Sequence, residues 1–115
     1  MIQRANQMEV EIREKMKGGT GSVSVTHLLR PIQMKGHSRF FGKMTIEPGC
    51  SIGLHQHLDE EEIYYICKGT GICEDNGIRQ TVKEGDIILT GNGASHSIEN
   101  NSSETLEILG IILLF

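Results

Sequence analysis

No basic stripe runs through this sequence, and no apolar run is long enough for a membrane. Eleven Lys and Arg stand against fifteen Asp and Glu, so the formal charge is -4 and the pI about 5.7. That balance excludes the electrostatic footprint of a nucleic-acid or anionic-membrane surface. The most apolar segment, Leu106 to Phe115, is too short to span a bilayer and reads as a buried strand. Met1 to Lys15 alternates polar and apolar positions without a continuous apolar core. It does not read as a signal peptide, and the expectation is a cytoplasmic protein. The three cysteines, Cys50, Cys67 and Cys73, are an odd number without a CxxC, so free thiols are expected. Cys67 and Cys73 flank the turn Lys68–Gly71 and could face each other across a hairpin. As nucleophiles all three are weak candidates, lacking an evident cation to hold a thiolate. The glycines of Gly18–Gly21 have neither the P-loop nor the dinucleotide spacing and read as a mobile connector. No internal repeat, low-complexity segment or convincing amphipathic helix is visible.

What is present is a series of short β-patterns. At 115 residues the chain suits one domain, residues 1–115, with a single core. Met8–Ile12 alternates strictly and reads as an edge strand, with helix as the second choice. Strands are predicted over Ser22–Leu29, Arg39–Glu47, Glu62–Cys67, Ile72–Glu74, Ile78–Val82, Asp86–Thr90, His96–Asn100 and Leu106–Leu114. Asp75-Asn76-Gly77 is a strong hairpin signal, and Pro48-Gly49 a turn. Regular spacing and fourteen glycines predict an all-β sandwich or small barrel. His27 reads as structural, and Lys35 and His37 as exposed loop residues.

The chemistry concentrates in Gly49–Gly69. His55 and His57 stand two apart, so an extended strand sends both imidazoles to the same face, a natural start for a transition-metal site. The acids Asp59, Glu60, Glu61 and Glu62 follow at once, and any one of them could close the set. A fourth ligand must come from farther along, and the only later histidine is His96.

These residues carry a resemblance to the small single-domain cupins of the cupin 2 type, including those likened to oxalate decarboxylases. The first cupin motif is met by Gly49, His55, His57, Glu62 and Gly69, and the second by Gly85, Gly93, His96 and Asn100. Gly91 stands where the second motif has proline, which should loosen the turn before His96. The resemblance implies a double-stranded β-helix, a cupin jelly-roll barrel with the site in its mouth, and a homodimer. It also implies the metal ligands His55, His57, Glu62 and His96, selecting Glu62 with Glu61 as the fallback. In that register Glu62, Tyr64 and Ile66 share the interior face, while Asp59, Glu60 and Glu61 form an acidic loop at the mouth. Glu60, Glu61 and Tyr64 are the candidate catalytic groups, to move protons.

Three imidazoles and one carboxylate leave a divalent ion with a net charge of about +1 and open positions, a site that favours anions. Mn, Fe, Ni, Cu and Zn all fit. The expected function is a metal-dependent enzyme acting on a small carboxylate, hydroxy acid or sugar derivative by decarboxylation, isomerisation or oxygenation. A non-catalytic small-molecule-binding barrel, as sensor or carrier, is the alternative; a purely structural barrel has no use for four ligands. Oxalate decarboxylation in particular meets an obstacle. The resemblance calls for a substrate-holding Arg at position 52, where this chain has Ile52, and Arg39 or Lys43 would have to replace it.

Overall fold

Alternation along the strands decides which residues face inward. In Ser38–Ile46 the buried positions are Ser38, Phe40, Gly42, Met44 and Ile46, and in Leu106–Leu114 they are Leu106, Ile108, Gly110 and Ile112. Apolar residues at every second position bury one face of a pleated strand, and two such faces must close on each other.

The computed structural model describes residues Met1–Phe115. Its strands are β1 (Glu9–Glu14), β2 (Ser22–Leu29), β3 (Ser38–Ile46), β4 (Ser51–Gln56), β5 (Glu60–Lys68), β6 (Thr70–Asp75), β7 (Ile78–Lys83), β8 (Ile87–Gly91), β9 (Ser95–Glu99) and β10 (Leu106–Leu114). A six-stranded sheet in the order β1-β2-β3-β10-β5-β8 packs on a four-stranded sheet in the order β4-β9-β6-β7, and all pairings are antiparallel. The fold is the double-stranded β-helix, and β1 is the edge strand its alternation predicts. Between the sheets lies one core of fifteen buried residues, with Val23, Val25, Ile46, Ile66, Leu106 and Ile108 fully enclosed. Each large aliphatic side chain removed from water contributes roughly 1.5–3 kcal/mol. No helix is long and apolar enough to cross a membrane.

Two turns show why particular residues are needed. Asn76 and Gly77 both have positive φ, 49° and 87°, the backbone of a tight hairpin between β6 and β7. Gly69, at φ 88°, carries the chain from β5 in the larger sheet to β6 in the smaller one, and a Cβ there would lie 2.5 Å from the Thr105 carbonyl oxygen.

That crossing corrects the expectation for Cys67 and Cys73. They do not face each other across a hairpin, because their strands belong to different sheets; all three cysteines are free. Glu60 and Glu61 are likewise not loop residues: β5 begins at Glu60, directly after Asp59 at φ 56°. The stretch Gly18–Gly21 is pinned on β4 instead of running free. Ser51 N–H donates to the Thr20 carbonyl at 2.9 Å, and Thr20 N–H to Ser51 Oγ at 2.8 Å. Gly91 ends β8 against β5, where a Cβ would lie 2.6 Å from the Glu61 Cβ. The turn that follows is tied by Ala94 N–H to the Gly91 carbonyl at 3.0 Å, so the missing proline leaves a closed turn.

The outer face of the larger sheet is also apolar over four adjacent strands. Phe41 lies opposite Ile111, Ile111 opposite Ile63, and Ile63 opposite Leu89, with Tyr65 beside Ile87. Ile87 and Leu89 are 60% and 57% exposed.

Candidate metal centre

The four motif residues reach one point by three different local devices. In β4, Ile52 pairs with Ile98 of β9, but the next pair is His55 with His96. Two residues intervene on β4 and one on β9, so β4 carries a bulge. The extra residue reverses the parity of the strand. Ile52 and His55 both turn inward although three positions apart. His57 lies just beyond β4, its backbone still paired with Ala94 and Gly93. His96 follows from the alternation of β9, and Glu62 from that of β5, where Glu60, Glu62, Tyr64 and Ile66 are all buried.

His57 Nε2 and His96 Nε2 lie 3.0 Å apart, as do His96 Nε2 and His55 Nε2. Glu62 Oε1 is 3.1 Å from both His57 Nε2 and His96 Nε2, and 3.8 Å from His55 Nε2. One ligand atom from each residue falls within 4.8 Å of all the others. The outer ring nitrogens show where protons go. His55 Nδ1 is 2.7 Å from the Gly53 carbonyl oxygen, which can only accept, so this nitrogen carries the proton. His57 Nδ1 is likewise 2.5 Å from Glu60 Oε2. With those protons directed outward, the Nε2 lone pairs and the Glu62 carboxylate confront one another, a donor set that suits a cation at its centre. His96 Nδ1 is buried without a partner.

Burial raises the Glu62 carboxyl, but the three imidazoles gathered around it outweigh burial and hold the group far below the ordinary range, so it is a carboxylate. Glu60 is lowered to about 2, chiefly by Arg39 and then by His57. Arg39 grips Glu60 with two bonds, at 2.7 and 2.8 Å. His57 is raised by Glu62, against burial and with help from Glu60; His96 is lowered by burial, against Glu62.

Tyr64 is buried and stacks on His96, with ring centroids 4.8 Å apart and planes at 18°. Burial, followed by the negative charge of Glu62, raises its phenol well above the usual value, so the hydroxyl stays protonated. A cavity of about 170 Å³ opens over the centre, lined by His55, His57, Glu62 and Tyr64 on one side.

The family model described as "Cupin domain" matches residues 42–112. The chain belongs to the cupin family. A curated relative from Thermotoga maritima named "Oxalate-binding protein" is 43% identical over 114 residues, 99% of this chain and 94% of the relative. An uncharacterised protein of Methanocaldococcus jannaschii is 35% identical over 77% of this cupin and 70% of its own length. Among solved structures, that of a predicted oxalate decarboxylase from Thermotoga maritima has a TM-score of 0.95 at 43% identity, with both chains fully covered. A cupin domain from Schizosaccharomyces pombe, at 12% identity and a TM-score of 0.74, shares the fold; it covers 93% of this chain and 70% of its own.

Of the candidate catalytic groups, only Tyr64 lines the cavity. Glu60 stands behind His57, its carboxylate taken up by Arg39 and His57, and serves to orient the imidazole. Glu61 falls on the opposite face of β5, paired with Gly91. Arg39, one of the two replacement cations the sequence offered, lines the cavity and Lys43 does not; Arg13, Lys17 and Arg30 on the same wall were missed, and the buried His27, read as structural, joins them. His27 is hydrogen-bonded through Nε2 to Glu11 of β1. Parity could have revealed Glu60, two residues before Glu62. No local pattern announces Arg13 or Lys17, which reach the cavity through tertiary packing.

Proposed function

We propose that this cupin binds one divalent transition metal, Mn, Fe, Ni, Cu or Zn, through His55, His57, Glu62 and His96, and that it acts on a small oxygen-rich anion held in the cavity above. The observation that carries this reading is the convergence of three Nε2 atoms and Glu62 Oε1 while the outward nitrogens of His55 and His57 spend their protons on Gly53 and Glu60. When bound, the metal supplies Lewis acidity that stabilises charge on ligand oxygens. The chain supplies the rest. Glu60 and Arg39 fix the ring of His57. Tyr64, kept protonated, lines the cavity and holds its hydroxyl beside Glu62. The core around Phe40, Met44 and Ile112 limits water in the cavity. Decarboxylation, isomerisation and oxygenation of a carboxylate, hydroxy acid or sugar derivative are the reactions such a site serves.

Binding without turnover, as a sensor or carrier, is the second reading. It is favoured by Glu60 and Glu61, neither of which lines the cavity, and by the name of the Thermotoga maritima relative. Metal-loaded protein incubated with oxalate separates the two. Release of carbon dioxide with formate makes it a decarboxylase. Saturable binding with oxalate recovered intact makes it a binding barrel. Absence of oxalate binding would remove oxalate as the ligand under either reading.

We also propose that the cupin is a homodimer, closed through the apolar outer face of Phe41, Ile63, Leu89 and Ile111. An apolar face across four paired strands, half-buried at Phe41, Ile63 and Ile111 and exposed at Leu89, is what a self-complementary two-fold interface buries.

A further inference from the structure

The cavity has two chemically different walls. One holds the metal ligands. The other is built by the first strand and the 3-10 turn Met16–Gly18, which place Arg13 and Lys17 on the same space. Charges there are unevenly satisfied. Arg13 is tied to Glu11 at 2.9 Å, Arg30 to Glu9 at 2.7 Å and Arg39 to Glu60, whereas Lys17 has no carboxylate within ion-pair distance. Glu62, the one acid that lines the cavity, is committed to the histidines.

The side chain of Lys17 is exposed, and it is the backbone beneath it that is fixed, at a cost. Its backbone is left-handed, φ 54° and ψ 30°, a conformation that L-residues other than Gly, Asn and Asp seldom adopt. Close packing against β4 enforces it. A Cβ on Gly53 would lie 2.2 Å from the Lys17 carbonyl oxygen, and one on Gly19 would lie 2.2 Å from the Ser51 carbonyl oxygen. The carbonyl of the same Gly53 accepts the Nδ1–H of His55. The turn that bears Lys17 and the imidazole that faces the metal position are therefore registered on one residue.

We propose that Lys17, with Arg13 beside it, is a ligand-positioning cation that binds the carboxylate group of a small dianion lying farther from the metal ligands, making the cavity selective for dicarboxylates over monocarboxylates. The inference rests on the metal-and-anion reading above. It assigns to the first strand and its turn the anion contact for which Ile52 offers no charge.

The test is calorimetric titration of metal-loaded protein with oxalate, malonate and acetate, alongside metal content by elemental mass spectrometry. Lys17→Gly removes the ammonium and suits the left-handed backbone, and Lys17→Arg restores the charge. Loss of one charge-assisted contact weakens oxalate and malonate on the order of tenfold or more in Lys17→Gly, with acetate changed less than about twofold. Metal content is unchanged and Lys17→Arg recovers most of the affinity. Equal weakening of all three anions, or no weakening, overturns the proposal while leaving the metal reading intact. If wild-type protein takes up no metal, the metal reading fails and the same titrations decide on metal-free protein. Tenfold loss of oxalate affinity in Lys17→Gly upholds the subsite, and unchanged affinity overturns it.

Discussion

Glu60 accepts a hydrogen bond from His57 at 2.5 Å while Arg39 clamps its other side, so a carboxylate that does not line the cavity fixes the orientation of an imidazole that does. Such outer partners set ring orientation and basicity, and their loss typically costs 10–100-fold in metal affinity. Glu60→Gln is expected to lower metal affinity within roughly that range while far-ultraviolet circular dichroism stays unchanged. Competition with a chromogenic chelator measures it. Unchanged affinity would show that His57 needs no such partner.

Gly53 joins the bulge of β4 to the turn carrying Lys17. Gly53→Ala forces a methyl group to within 2.2 Å of a backbone oxygen, and neither backbone can give easily. A loss of roughly 1–3 kcal/mol in urea unfolding is expected, as for overpacking at other tight sites. Gly49→Ala meets nothing within 4 Å but sits at φ 83°, so its cost is conformational alone, about 1 kcal/mol. Equal costs at the two positions would contradict the close packing.

Cys73 is buried, and burial first, then the charges of Asp75 and Glu74, push its thiol up to about 11. The folded state therefore favours the protonated thiol. This contribution to stability is present in full below pH 9 and is lost as the pH rises from about 9 to 11. At pH 8, native Cys73 is expected to resist iodoacetamide, and urea to expose it, as peptide mass spectrometry would show. Rapid labelling of Cys73 in native protein would contradict its burial.

The exposed apolar face makes its own prediction. Light scattering is expected to give twice the 12.7 kDa chain mass. Leu89→Lys, a change on the surface of β8, shifts the protein to monomer without unfolding it. A monomeric wild type excludes the dimer.

Much of this was legible before the structure. Ser22–Leu29 and Leu106–Leu114 are strands over the residues their alternation marks, and Asn76-Gly77 makes the hairpin it announces. The four candidate ligand residues come together as spacing and family resemblance imply. What escaped was set by packing between distant segments. The bulge that turns His55 inward is defined only by pairing with β9, since β4 alone does not show where its register slips. Cys67 and Cys73 part company because Gly69 changes sheets, which sequence proximity conceals. Glu60 read as one of three acids in a loop at the mouth, there to move protons, until β5 was seen to begin with it and Arg39 to meet it. Lys17 and Arg13 gain meaning from a close contact between Gly53 and the turn at Met16–Gly18.

The most direct measurement is the metal content of untagged protein purified without chelator, by elemental mass spectrometry, with His96→Ala as its partner. Near-stoichiometric Mn, Fe, Ni, Cu or Zn in the wild type, lost in a variant that remains folded, is the predicted result. Metal-free wild-type protein that also refuses added divalent ions would contradict it, and with it the reading of His55, His57, Glu62 and His96 as ligands.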